Sequence, residues 1–197
     1  ILAFDTSVAA CSVALWRKGA VLAAVRQLME QGQAEALMPL VEEIMARGGA
    51  TYAALDRIAV TVGPGSFTGV RVGLSAARGL GLAARKPIIG IMTTEVLAAS
   101  VPESERVDGS GRVHILAAID TKRGDLYVQQ FDRNLHGVGP VKALAPGDLA
   151  AWIAPGPVRV VGDGAAAAIA AIGSRAVMAS ADAFPAAAVL AELAANR

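Results

Sequence analysis

Short apolar stretches alternate along the chain with segments whose apolar residues recur at helical spacing. Three stretches near the start are separated by the turn-like pairs Thr6-Ser7 and Lys18-Gly19, which predicts three strands in a meander. Apolar residues at positions 34, 37, 38, 41, 44 and 45 then predict a helix that stops at Gly48-Gly49. The predicted elements of the first half are strands at 1–5, 11–17, 20–28 and 58–62 and helices at 34–47 and 66–85.

The second half carries the same two patterns after a break in composition. Residues 101–112 combine Pro, Gly and Ser with several charges, and we expect a lobe boundary there. The predicted lobes are 1–100 and 101–197, with the last helix packing back on the first lobe. The predicted elements are strands at 87–91, 113–119, 126–131 and 158–161 and helices at 93–100, 146–153, 165–172 and 185–195. Interleaved strands and helices indicate an α/β protein with a mixed sheet flanked by helices.

Composition narrows the class of protein. At 197 residues with 54% hydrophobic side chains and a net charge of +1, the chain is globular, and its charge neither demands nor excludes nucleic acid. The longest uncharged stretch, 58–70, is shorter than the roughly 20 residues of a membrane helix. Cys11 is the only cysteine, which excludes an intrachain disulfide and favours a small buried residue. The absence of a signal-peptide pattern leads us to expect a cytoplasmic protein.

A glycine-rich turn is the most informative local motif. It reads Gly63-Pro64-Gly65-Ser66-Phe67-Thr68-Gly69-Val70-Arg71, and it joins an apolar strand to a long helix. Backbone N–H groups at such a turn favour an anion, so Gly63 and Gly65 are candidate ligands of a phosphate or carboxylate. A turn that serves chain reversal alone is the alternative. Val70 and Arg71 follow the last glycine, where a nucleotide-binding P-loop needs Lys and Ser or Thr.

Residues that could carry catalysis are scarce. Asp5, Asp120 and Asp163 each end a predicted strand, where open α/β sheets place ligand-binding carboxylates. They could hold magnesium, or each could cap the turn that follows it. His114 and His136 stand alone, and no Gly-x-Ser-x-Gly motif is present. We therefore predict no catalytic residue, no metal ligand and no cofactor, with Asp5 and Asp120 as weak ligand candidates.

Both long helices have a face that invites close packing. One presents a Met-containing apolar stripe, and the other has small residues at four-residue spacing, including Gly73, Ala77 and Gly81. Because glycine inside a helix costs about 1 kcal/mol, we expect tight packing at Gly79 and Gly81. Arg71, Arg78 and Arg85 recur every seven residues, which indicates either a solvated face or a surface for an acidic or phosphate partner.

Five segments together resemble the bacterial TsaB (YeaZ) family of tRNA threonylcarbamoyladenosine biosynthesis proteins. They are Asp5-Thr6-Ser7, residues 63–73, Ala77-Arg78-Gly79-Leu80, residues 120–127 and Gly162-Asp163-Gly164. The resemblance implies the two-lobed actin-like (ASKHA) fold, in which each lobe has a ribonuclease-H-like sheet. It also implies a non-catalytic role in the transfer of threonylcarbamoyl to N6 of adenosine 37 in tRNA.

The resemblance further implies partners and an interface. A TsaD-like paralogue would hold the metal and perform the transfer, a TsaE-like ATPase would join, tRNA would be contacted only through the complex, and the chain alone would form a homodimer. The family's pairing surface maps onto residues 34–47 and 66–85. The interface residues expected on it are Leu37, Met38, Val41, Ile44, Met45, Gly73, Ala77, Arg78 and Gly81.

Departures from the catalytic relatives agree with this expectation. Gln33-Ala34-Glu35-Ala36-Leu37 has no histidine where those relatives carry a paired-histidine metal motif. Asp5-Thr6-Ser7 lacks the glycine of their first phosphate loop. The family usually continues into a short tail, whereas this chain stops at Arg197, so contacts of that tail are expected to be missing. The alternatives are a stand-alone ATPase or kinase and, least favoured, a peptidase.

Overall fold

The computed structural model describes residues 1–107 and 113–197, which form two compact units. The first unit combines residues 1–96 with 185–197, and the second comprises residues 97–184. The compact units divide between Val96 and Leu97 and again between Phe184 and Pro185. Whether the predicted lobes, 1–100 and 101–197, are separate folding domains stays a prediction. Part of the expected boundary segment, residues 108–112, lies outside the described residues.

A five-stranded mixed sheet forms the centre of the first unit. Its strands are β1 (Leu2–Asp5), β2 (Ala10–Arg17), β3 (Ala20–Leu28), β4 (Ile58–Thr61) and β5 (Ile88–Ile91), in the order β3-β2-β1-β4-β5. The first three strands pair antiparallel, as the predicted meander requires, and β4 and β5 run parallel to β1. The polar residues that follow β1 and β4 therefore meet at one edge of the sheet.

Helices cover both faces of this sheet. The helices in the described part of the chain are α1 (Gln33–Arg47), α2 (Phe67–Ala84), α3 (Thr93–Ser100), α4 (Leu149–Trp152), α5 (Ala165–Ile172) and α6 (Ala187–Ala195), of which α1, α2 and α6 pack on this sheet. Alternate side chains of β1 point to opposite faces. Leu2 and Phe4 join the core beneath α1 and α2, whereas Ala3 joins the core beneath α6. The apolar pattern of β1 thus fixes which helices lie on which side.

The second unit repeats the plan with a second five-stranded sheet. Its strands are β6 (His114–Asp120), β7 (Leu126–Phe131), β8 (Lys142–Leu144), β9 (Val158–Val161) and β10 (Ala176–Met178), in the order β10-β9-β6-β7-β8. The predicted β6–β7 hairpin is confirmed, and α4 and α5 cover one face of the sheet. The helix predicted at 146–153 is a 3-10 turn, Pro146–Asp148, followed by the short α4.

Two mixed sheets flanked by helices confirm the predicted α/β class. Within the described part of the chain, no helix combines the length and the apolar character that crossing a membrane requires.

Candidate functional site

A buried polar group lies where β1, β4 and α3 meet, and we call it the strand-end cluster. It consists of Asp5, Thr6, Ser7, Thr61 and Thr93, which are all buried. Asp5 Oδ1 accepts hydrogen bonds from the Ser7 and Thr61 hydroxyls at 2.5 Å and from the Ser7 N–H at 3.2 Å. The Thr93 hydroxyl donates to Ser7 Oγ at 3.1 Å. Asp5 Oδ1 therefore links the ends of two strands, and the Ser7 hydroxyl connects them to the start of a helix.

Burial governs the charge of this cluster. Removal of Asp5 from water raises the pKa of its carboxyl, and the bonds from Ser7 and Thr61 offset part of that rise. Asp5 Oδ2 is also buried and has no hydrogen-bond partner among the described residues. Nearby Cys11 is buried, and desolvation raises the pKa of its thiol to about 12, as expected for an unreactive cysteine.

The glycine turn packs directly on the strand-end cluster. The N–H of Ser66 donates to Ser7 O at 2.7 Å, and that of Thr93 donates to Gly63 O at 2.8 Å. A Cβ on Gly65 would lie only 2.1 Å from Ser7 O. The backbone that sequence analysis assigned to a phosphate or carboxylate thus contacts the chain itself. Gly65 therefore packs closely against the backbone of Ser7, and ligand binding by Gly63 and Gly65 stays a prediction.

Asp120 and Asp163 lie together in the second unit. The N–H of Asp120 donates to Asp163 Oδ1 at 2.9 Å, while the carboxylate of Asp120 accepts from Lys122 N at 2.7 Å and contacts Lys122 Nζ at 3.0 Å. The bond from the Lys122 N–H is the main cause that lowers the pKa of Asp120, whereas desolvation raises that of Asp163. Among residues 1–107 and 113–197, no group of three or more His, Cys, Asp or Glu side chains is placed to hold a metal ion. Turn capping, the alternative for Asp120, is what the geometry supports.

The apolar stripe of α1 faces the core of its own unit. Four of the residues expected at a partner interface are fully or almost fully buried beneath α1: Leu37, Val41, Ile44 and Met45. Of the five stripe residues, Met38 alone remains accessible, with 36% of its surface exposed. The correction has a simple cause, because an amphipathic helix first covers the sheet of its own domain. Leu37 lines the groove between α1 and α2, whereas Val41, Ile44 and Met45 are covered by the chain itself and cannot contact a partner directly.

The small residues of α2 face the same sheet. Gly73, Ala77 and Gly81 are buried, and a Cβ on Gly81 would lie 2.8 Å from Ile88 Cδ1. Tight packing therefore explains Gly81, and these three residues are also removed from the expected partner surface. Gly79 is exposed, and a Cβ at this position would meet nothing within 4 Å, so the expectation of tight packing there was wrong. Arg78 lies exposed on α2, and its place at an interface stays a prediction.

A groove between α1 and α2 offers the accessible surface that remains, and we call it the helix groove. It has a volume of about 510 Å³ and is mainly apolar. Its lining residues are Ala34, Leu37, Met38, Phe67, Thr68, Arg71, Val72, Ser75 and Ala76. Phe67 has 67% of its surface exposed, and the guanidinium carbon of Arg71 lies 3.5 Å from the centre of its ring. Phenylalanine, methionine and arginine are among the residues enriched at protein interfaces.

Sequence reasoning missed Phe67 and Thr6. Phe67 stands inside the glycine motif, where its sequence context indicates a turn, and its exposure beside Arg71 is visible only in the structure. Thr6 donates its hydroxyl to Gly69 O at 2.7 Å, a contact between residues 63 positions apart that no local pattern reveals.

Comparisons with known proteins agree with this architecture. A family model described as "TsaD: tRNA N6-adenosine threonylcarbamoyltransferase" matches residues 27–151. The TsaB protein of Escherichia coli, a tRNA threonylcarbamoyladenosine biosynthesis protein, is 39% identical over 138 residues, which are 70% of this chain and 57% of that protein. The chain thus spans little more than half the length of this curated relative.

Solved structures extend the likeness over the whole chain. YeaZ from Pseudomonas aeruginosa superposes with a TM-score of 0.83 at 28% identity, covering 99% of this chain and 90% of that one. An activator of 2-hydroxyisocaproyl-CoA dehydratase from Clostridium difficile, with ADPNP bound, superposes with a TM-score of 0.55 at 11% identity, covering 99% of this chain and 94% of that one, and shows the fold alone.

The two helix-flanked mixed sheets and these neighbours show the actin-like (ASKHA) fold. The chain belongs to the family of the matching model, tRNA N6-adenosine threonylcarbamoyltransferase, and within it to the TsaB/YeaZ group that the resemblance indicated.

Proposed function

We propose that the chain is a non-catalytic, cytoplasmic subunit of the complex that transfers threonylcarbamoyl to N6 of adenosine 37 in tRNA. Its TsaB relatives are named for threonylcarbamoyladenosine biosynthesis, and the matching family model is named for the transferase itself. The subunit stabilises the active conformation of its catalytic partner, and tRNA is contacted only through the complex.

The observation that carries the non-catalytic role is the closure of the strand-end cluster. Asp5, Thr6 and Ser7 are buried, and the glycine turn rests on their backbone. A phosphate at this strand end would have to displace that turn, because backbone atoms already occupy the approach. This geometry supports a retained fold without nucleotide chemistry, and it argues against a stand-alone ATPase.

The helix groove is the proposed docking surface for a TsaD-like paralogue. Met38, Phe67 and Arg71 are its accessible anchors, and they replace the buried stripe residues in that role. The same surface pairs two copies of the chain when the paralogue is absent, and a TsaE-like ATPase joins the assembled pair. Aromatic and arginine anchors around an apolar floor suit a protein partner.

Complementation tests the function and the surface together. The protein is depleted in its host, and threonylcarbamoyladenosine is quantified in digested bulk tRNA by mass spectrometry. We expect the nucleoside to fall on depletion, to return with the wild-type chain, and to stay low with Phe67→Asp. Leu28→Asp is the matched control, because Leu28 is exposed to the same 67% but lies on β3 outside the helix groove.

Each proposal has its own contradicting result. An unchanged nucleoside level after depletion would refute the role in tRNA modification. Full complementation and normal co-elution of Phe67→Asp with the paralogue would refute the docking surface alone. Micromolar binding of ATP to the isolated chain in calorimetry, lost in Asp5→Ala, would support the stand-alone ATPase instead.

A further inference from the structure

We infer that Thr6 is a positioning residue for the helix groove: its hydroxyl, at the end of β1, holds the first turn of α2 in place. The inference rests on the proposed function, since it concerns the same docking surface. Thr6 is buried and does not line the groove. It acts through its contact with α2 and not through contact with a partner.

Two hydrogen bonds join β1 to the start of α2. The Thr6 hydroxyl donates to Gly69 O at 2.7 Å, and Ser7 O accepts from Ser66 N at 2.7 Å. Ser66 is the N-cap of α2, and its hydroxyl accepts from Gly69 N at 3.3 Å. Both bonds thus hold the start of α2: the Ser7 carbonyl pairs the N–H of its N-cap, and the Thr6 hydroxyl adds a hydrogen bond to a carbonyl of its first turn.

Three glycines bring the turn and the start of α2 into direct contact with Thr6 and Ser7, the residues that follow β1. A Cβ would lie 2.1 Å from Ser7 O at Gly65 and 2.0 Å from Thr6 O at Gly69. At Gly73, one helical turn further on, it would lie 2.8 Å from the Thr6 hydroxyl oxygen. The hydroxyl therefore occupies the space that the missing Cβ of Gly73 leaves, and α2 has little freedom to slide along β1.

The other side of Thr6 is fixed as well. Ser7 is bonded to Asp5, Asp5 to Thr61, and Ser7 to Thr93, so the Thr6–Ser7 backbone sits on a rigid, buried platform. Because these hydrogen bonds hold the Thr6–Ser7 backbone, the Thr6 hydroxyl fixes the position of the first turn of α2. It thereby also positions the residues of α2 that line the helix groove.

Phe67 and Arg71 stand two residues before and after Gly69. Gly69 faces β1, whereas both of these side chains are exposed and line the groove. Loss of the Thr6 bond is expected to let the first turn of α2 fray, which would displace one wall of the groove. A residue that only stabilised the core would lower stability without selectively loosening this turn.

The test compares four variants of the chain. Thr6→Val keeps the shape of the side chain and removes the hydroxyl, and Thr6→Ser restores the hydroxyl. Ser12→Ala is the matched control, because Ser12 Oγ accepts a buried hydrogen bond of 2.8 Å from Ala187 N and so anchors α6 instead of α2. Gly73→Ala provides a second perturbation, since its Cβ displaces the hydroxyl while Thr6 is intact.

Two measurements read the result. Amide hydrogen exchange on the isolated chain should accelerate at residues 69–73 in Thr6→Val and Gly73→Ala, stay close to wild type in Thr6→Ser, and accelerate in α6 only for Ser12→Ala. Calorimetry with the purified TsaD-like paralogue should show Kd about tenfold weaker for Thr6→Val and within about twofold of wild type for Thr6→Ser and Ser12→Ala.

Unchanged exchange at residues 69–73 in both Thr6→Val and Gly73→Ala would overturn the inference. Equal weakening of binding by Thr6→Val and Ser12→Ala would also overturn it, because general destabilisation would then explain both. If the wild-type chain does not bind the paralogue, the proposed function fails, and hydrogen exchange still decides whether Thr6 holds α2.

Discussion

Alanine is expected to have opposite effects at two glycines of α2, Gly69 and Gly79. A Cβ at Gly69 would lie 2.0 Å from the carbonyl oxygen of Thr6, which is a backbone atom and cannot rotate away. A Cβ at Gly79 would have nothing within 4 Å. The two substitutions are chemically identical and share one helix, so the difference between them isolates the packing of α2 against β1.

The magnitude follows from the geometry. Ordinary contacts of a Cβ begin near 3.4 Å, so α2 would have to retreat by roughly 1.4 Å at Gly69. Overpacking of this kind costs about 1–3 kcal/mol, and contact with rigid backbone places Gly69→Ala at or above the upper end. Helix propensity returns about 1 kcal/mol, which leaves a net loss of about 2 kcal/mol. Gly79→Ala, with no packing term, should gain about 0.5–1 kcal/mol.

Urea denaturation followed by circular dichroism measures both free energies of unfolding. Gly69→Ala should lower the midpoint and Gly79→Ala should raise it, at an unchanged dependence on urea. Equal effects of the two substitutions, or a Gly69→Ala variant as stable as wild type, would refute direct packing of α2 on the end of β1.

Three further predictions concern other parts of the first unit. Burial raises the pKa of the Asp5 carboxyl, so between about pH 3.8 and that raised pKa the folded chain keeps a proton that the unfolded chain has lost. The free energy of unfolding should therefore fall over this pH range, relative to that of Asp5→Asn. Urea denaturation of both proteins at several pH values checks the sign, and parallel curves would contradict it. Ile44→Ala should lower the free energy of unfolding by about 2–5 kcal/mol because Ile44 is fully buried. Met38→Ala should lower it by about 1 kcal/mol or less because Met38 is accessible. Similar losses in the two variants would contradict the orientation of α1. Arg57 Nη1 donates to Ala194 O and to Arg197 O, each at 3.0 Å. Arg57→Ala should therefore lower the local stability of the end of α6 by about 1 kcal/mol, measured as faster amide hydrogen exchange there. Unchanged exchange would show that these bonds do not stabilise α6.

Local pattern was sufficient for most of the fold. The β1–β2–β3 meander, α1, α2 and the β6–β7 hairpin were all predicted, because their apolar or small residues form stretches of strand length or recur at helical spacing. Strands β8 and β10 were missed, and both are three residues long with two exposed positions each. So short an element shows no period, and its pairing with a neighbouring strand decides its conformation.

The site was harder to predict, for a different physical reason. Periodicity showed that α1 and α2 each have an apolar or small-residue face, but not what covers that face. The helices' own sheet covers it, which buries Ile44 and Gly73 and leaves Met38 and Phe67 at the surface. Likewise, the glycine motif indicated close approach to something, and only the fold shows that Gly65 and Gly69 approach the backbone of Thr6 and Ser7.

The contact between Arg71 and Phe67 connects the isolated chain with the proposed complex. An exposed aromatic ring is unfavourable in water, and a guanidinium stacked 3.5 Å from its centre covers part of the ring. At an exposed site this contact contributes about 0.5–1 kcal/mol, but about 2 kcal/mol once water is excluded. A partner that covers the helix groove would therefore strengthen a contact that already exists. Both side chains project from the turn of α2 that Thr6 holds, so the packing at the end of β1 would fix their positions before the partner arrives.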